Sequence, residues 1–169
     1  MRDYSDYTTI TATRRDCLLT LTLNRPESVN ATDAAMHEKL ARLFYDVAED
    51  DDTDVVILTG AGKAFCAGGD TRWMQSMIDE PEAWRKTVRE GKRLIFGLLD
   101  LDKPVIAKLN GHAVGMRHGK TMGAIIGELA RTVAPIAHFN ARFSLPCIDK
   151  LVCYFLYKWN HQRGVKCRI

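Results

Sequence analysis

Two short apolar runs, each leading into glycine, set the terms on which this chain can fold. Residues 54–59 (DVVILT) lie between a run of acids and Gly60, and residues 104–109 (PVIAKL) run toward Gly111. A strand that is apolar at consecutive positions, rather than at every second one, is the mark of a strand covered on both faces in a parallel sheet. Parallel neighbours need a crossover between them, and the intervening stretch carries helical spacing. The pattern predicts an α/β layered fold, with ligands at the loops that leave the carboxyl ends of the strands.

The flanking segments agree with that frame. Residues 7–23 (YTTITATRRDCLLTLTL) alternate, break at Arg14, Arg15 and Asp16, and alternate again, which predicts a β-hairpin. Residues 24–28 (NRPES) are turn chemistry, because Pro26 has no amide to give a ladder. Met36, Leu40, Leu43, Phe44 and Val47 then form one apolar stripe, predicting a helix over 32–49 capped by Thr32 or Asp33 and ended by the acids at 49–52. His37 falls away from that stripe and is expected to face solvent. Residues 70–101 read as helix interrupted at Pro81, with the second part over 82–100. A helix is also expected over 119–129, although Gly123 and Gly127 each cost about 1 kcal/mol there relative to alanine.

Composition narrows the class. The chain has 169 residues and a mass of 19.0 kDa, enough to bury about 70% of its unfolded surface in one core without metal or disulfide staples. No apolar run approaches the ~20 residues of a membrane span, and the first residues (MRDYSDY) lack a signal peptide's apolar segment, so no membrane partner is expected and the location read from the sequence is cytoplasmic. Five cysteines at irregular spacings make neither a paired framework nor a CxxC metal motif. Residues 1–114 carry a net charge of −4 and residues 115–169 one of +7. The basic, aromatic end (Tyr154, Phe155, Tyr157, Trp159) has the residue types of a single-strand nucleic-acid binder, but unselected sequence has the same look, and no nucleic acid is expected as partner.

Chemistry is expected at two glycine-dense loops, residues 60–70 (GAGKAFCAGGD) and 110–115 (NGHAVG). Glycines let backbone approach a ligand and let N–H groups point outward, which suits a developing oxyanion or a phosphate. Together with LNRP at 23–26, Asn30 and Ala31, VILTGAG at 56–62 and KPVIA at 103–107, these blocks resemble the crotonase (enoyl-CoA hydratase/isomerase) superfamily, in its order and spacing. The match is dense over about residues 7–115.

That resemblance implies a crotonase-like spiral of ββα turns and a site for an acyl-CoA thioester, with coenzyme A entering as part of the substrate and no separate cofactor. It implies that the backbone amides of Ala67 and Met116 form an oxyanion hole. Ala64, Phe65, Gly68, Gly69, Asp70 and Gly115 would line the site, Arg25 would either meet phosphate or cap the Asn24 turn, and subunits would assemble as a trimer. His112, in the second loop, is expected to support the site rather than act as its base.

Departures bear on activity. Hydratases place two glutamates where this chain has Gly119 and Cys147, and Glu128 is the one acid between Asp102 and Asp149. Residues 141–146 (ARFSLP) resemble the family again, after an interval about nine residues longer than usual, and residues 147–169 do not. The chain is therefore read as an incomplete core over 1–146 plus an unmatched tail over 147–169, as a truncated, frameshifted or spliced product would have. Three functions stay open: an acyl-CoA hydratase or isomerase, another enolate reaction such as thioester hydrolysis, and an inactive fragment or interaction protein.

Overall fold

The structure, a computed structural model, describes residues 2–114. The expectations placed on residues 115–169, including the helix at 119–129 and the division at residue 146, lie outside the described residues.

A hairpin opens the fold. Strands β1 (Ile10–Arg15) and β2 (Leu18–Leu23) pair antiparallel from Ile10↔Leu23 to Arg15↔Leu18, leaving a two-residue turn with Asp16 at φ 53. Aspartate tolerates that left-handed conformation better than most side chains. A 3-10 turn at Pro26–Ser28 leads to helix α1 (Ala34–Ala48), which starts where Asp33 accepts the Met36 N–H at 2.8 Å. Strand β3 (Val55–Gly60) pairs parallel with β2 and then with β5 (Val105–Ala107), giving a sheet of order β1-β2-β3-β5. Two short strands, β4 (Ala64–Cys66) and β6 (His112–Ala113), make a separate parallel pair. Helices α2 (Thr71–Asp79) and α3 (Pro81–Asp100) follow β4, with Pro81 opening α3 at a position where its missing N–H costs nothing.

The core is the meeting of α1, α3 and one face of the sheet. Met36, Leu40, Leu43, Phe44 and Val47 are all buried, together with Leu19, Leu21, Leu23, Val56, Leu58, Leu94 and Leu98. Full burial of each such side chain stabilises by about 1.5–3 kcal/mol before the entropy of ordering it is counted.

Two expectations are corrected. Along β3, Val56 and Leu58 are buried while Val55 and Ile57 are half-buried, because the described helices cover one face of the sheet and not both. His37 is buried at 3% exposure rather than solvent-facing. Helix α3 packs along the flank of α1 and brings Glu90 Oε2 to 2.8 Å from His37 Nδ1, while Trp73 of α2 lies against the ring at 5.0 Å between centroids. Among the described residues no helix is long and apolar enough to cross a membrane.

Candidate active site

The chain turns back on itself directly after β3. A Cβ on Gly60 would lie 2.3 Å from the Ala64 carbonyl oxygen and 2.4 Å from that of Phe65, so only glycine permits the fold-back. Two asparagines hold the loop. Asn30, fully buried and at φ 56, donates through Nδ2 to the carbonyls of Ala61 and Ala64, both at 2.8 Å, while its Oδ1 accepts the Arg25 N–H at 2.9 Å. Asn110 Nδ2 lies within bonding distance of the carbonyls of Gly60, Gly62 and Ala64, and its Oδ1 accepts the Gly60 N–H.

The two glycine-dense loops meet. Pairing of β4 with β6 ends in a bond from the Val114 N–H to the Cys66 carbonyl at 2.8 Å. Gly68 sits beside this point at φ 95, where a side chain would be strained and its Cβ would lie 3.2 Å from the Val114 carbonyl oxygen. The buried Cys66 thiol seats the turn by accepting the Gly68 N–H at 3.4 Å.

Which amide is free is decided by pairing with residues 29–32. The Ala67 N–H donates to the Val29 carbonyl at 3.0 Å, so it is used inside the protein. Thr32 forms a parallel bridge opposite Gly69, giving its N–H to the Gly68 carbonyl at 2.7 Å and taking the Asp70 N–H at 2.8 Å. In a parallel bridge the residue opposite lends its neighbours' groups, and its own N–H and C=O face the other way. Gly69 is that residue, and its N–H has no acceptor among the described residues. The Ala67 N–H, expected as the first donor, is thus occupied, and the Gly69 N–H is the amide of this loop left without an acceptor among the described residues.

The remaining expected residues divide clearly. Ala64 and Phe65 are buried and build the wall behind the loop, with the Ala64 carbonyl already held by Asn30 and Asn110. Asp70 caps α2, accepting the N–H groups of Arg72 at 3.0 Å and Trp73 at 3.4 Å. The Arg72 N–H first, with the Trp73 N–H and the Arg25 guanidinium, holds the Asp70 carboxyl below its usual value against the opposing effect of desolvation. Arg25 lies 3.2 Å from Asp33 Oδ2 and 3.6 Å from Asp70 Oδ2 and donates to the Ala31 carbonyl. His112 is exposed on β6. Gly115, Met116, Gly119, Glu128 and Cys147 lie outside the described residues.

Sequence reasoning missed Asn30, Asn110 and Thr32 as builders of the site. The signal for Asn30 was present, since asparagine directly after a proline turn is the side chain best suited to a left-handed position. A cavity of about 580 Å³ opens elsewhere, among Tyr4, Tyr7, Ile10, Arg14 and Leu19, and contains none of the expected site residues.

This sheet order, with the fold-back after β3 and the two helices that follow it, is the α/β architecture that the comparisons match. The family model for enoyl-CoA hydratase/isomerase matches residues 18–133, and the chain belongs to that family. It is 35% identical over 131 residues to the 1,2-epoxyphenylacetyl-CoA isomerase of Escherichia coli strain K12, covering 76% of this chain and 50% of that protein. It is 36% identical over 126 residues to the (E)-benzylidenesuccinyl-CoA hydratase of Thauera aromatica, covering 74% and 45%. A crystal structure of an enoyl-CoA hydratase/isomerase from Mycobacterium paratuberculosis superposes with a TM-score of 0.63 at 34% identity, over 65% of this chain and 44% of the other. The chain spans about half the length of the curated relatives it matches.

Proposed function

We propose that this chain binds an acyl-CoA thioester with the thioester carbonyl oxygen on the Gly69 N–H, the Met116 N–H serving as the second donor. The observation that carries the reading is the Gly69 amide, which has no acceptor among the described residues and is aimed away from Thr32 at the junction of the two glycine loops. Support comes from the relatives, whose names describe CoA thioesters as the molecules they act on. Fixed donors at that oxygen stabilise the negative charge it gains when the α-carbon loses a proton, and one such donor is worth about 3 kcal/mol in a transition state. Coenzyme A enters with the substrate, so no separate cofactor is required.

Binding and turnover separate in this chain. Hydration needs groups that give and take protons at the two ends of one addition, and Gly119 and Cys147 offer no carboxylate. A missing general acid or base costs 10²- to 10⁴-fold, so the reading is thioester binding with little hydratase turnover.

Calorimetric titration with acetyl-CoA and with free CoA tests it, using wild type and Gly69→Pro, which deletes the N–H. Wild type should prefer the thioester, and Gly69→Pro should lose that preference while remaining folded by circular dichroism. Equal preference in both proteins would refute the site.

A further inference from the structure

We infer that Arg25 is a positioning residue of this site: its guanidinium joins the capping aspartates of α1 and α2 and so fixes the Gly69 amide, instead of contacting phosphate. This rests on the thioester reading above. Each aspartate divides its two oxygens between two tasks. Asp33 Oδ1 accepts the Met36 N–H, and Asp70 Oδ1 accepts the N–H groups of Arg72 and Trp73. Their Oδ2 atoms face the same Arg25 Nη2 at 3.2 and 3.6 Å. The other terminal nitrogen is taken by the Ala31 carbonyl, and the side chain is only 19% exposed.

A guanidinium is suited to this because its fork reaches several acceptors in fixed directions, which an ammonium does not. The consequence is mechanical. Residues 67–70 are strapped to residues 25–33 by Ala67 N–H to Val29, by the Thr32 bridge on either side of Gly69, and by Arg25 on Asp70. Releasing Arg25 leaves Asp70, one residue beyond the donor, tied to α2 by Oδ1 and no longer tied to residues 25–33 by Oδ2. A phosphate approaching Arg25 would meet both carboxylates, whose charge already answers that of the guanidinium.

The test titrates acetyl-CoA and free CoA into wild type, Arg25→Gln and Arg25→Lys, and records the carbonyl stretch of carbonyl-¹³C acetyl-CoA by difference infrared spectroscopy. Free CoA has no thioester oxygen and reports the nucleotide contacts alone. Arg25→Gln should weaken acetyl-CoA by roughly tenfold, the equivalent of one hydrogen bond. Its affinity for free CoA should stay unchanged, and the carbonyl band should move back toward its position in water. Arg25→Lys should restore only part of both. Equal weakening of the two ligands would make Arg25 a phosphate contact and overturn the inference, as would no change in either. A wild type that does not distinguish the ligands would sink the thioester reading itself. In that case the inference is still judged without ligand, by hydrogen exchange at the Gly69 amide in Arg25→Gln, Asp70→Asn and the double variant. The double variant should exchange no faster than Asp70→Asn alone, and independent additive effects would overturn the latch.

Discussion

Gly111 rests against the backbone of Lys63 so closely that a Cβ there would lie 1.9 Å from the Lys63 carbonyl oxygen. The atom it would strike is backbone, which cannot swing aside as a side chain can. This approach lets β6 lie beside β4 and carries the second glycine loop to the first.

Gly111→Ala is therefore expected to destabilise by about 1–3 kcal/mol or more, the usual cost of overpacking. In urea that is a lowering of the midpoint by about 1 M for a slope of 1–3 kcal/mol per M. An unchanged midpoint would mean that β4 and β6 yield without cost.

Gly91→Ala should act in the opposite direction. Gly91 lies inside α3, and an added Cβ would meet only His37 Nε2 at 3.9 Å, an ordinary contact. Glycine costs about 1 kcal/mol relative to alanine in a helix interior, so the variant should melt about 2–4 °C higher. A lower melting temperature would show that the His37–Glu90 pair needs the space.

The contrast between these glycines shows what the sequence can and cannot carry. Element limits were readable wherever a local device sets them: Thr32 or Asp33 capping α1, of which the fold uses Asp33, Pro81 breaking the helical run between α2 and α3, Gly60 closing β3. The two loops were readable because glycine density is itself local. Which loop amide is left without an acceptor among the described residues was not, since Ala67 and Gly69 differ only in what Val29 and Thr32 do to them, and that depends on chain pairing between distant segments. His37 failed for the same reason, its partner Glu90 lying 53 residues away on another helix. The pairing of Arg25 with Asp33 and Asp70 was hidden for the same reason, since neither is its neighbour along a helix.

Lys103 stabilises α1 from outside the helix. Its ammonium donates to the carbonyls of Val47 at 2.6 Å and Asp50 at 2.7 Å, with Ala48 at 3.3 Å, so one cation gathers the carbonyls at and just beyond the carboxyl end of the helix, where positive charge is favoured. Lys103→Met keeps the stem and removes the donors. A loss of about 1–2 kcal/mol is expected by thermal unfolding. Hydrogen exchange should quicken first at the carboxyl end of α1. Uniform quickening along the whole helix would count against a capping role.

The last prediction concerns acid, through Asp50. Its side chain is fully buried, and desolvation alone would raise its carboxyl. Arg14 at 2.5 Å, the Tyr4 hydroxyl at 2.9 Å and Thr53 Oγ1 at 3.0 Å all reach Oδ2, and together they outweigh burial and hold the carboxyl below its ordinary 3.8. A carboxyl lower in the folded than in the unfolded chain contributes stability that is fully present well above pH 3.8 and is lost as pH falls through the folded value. Arg14→Gln removes the charge and leaves the burial. The carboxyl should then rise, so the acid transition followed by far-ultraviolet circular dichroism should move to higher pH by about one unit. Stability at pH 7 should fall by about 3 kcal/mol, because a buried carboxylate is left without its partner. Restoration by Asp50→Asn in the same background would identify the uncompensated charge as the cause. A double variant no more stable than Arg14→Gln alone would place the loss in the packing of the arginine stem over β1 instead.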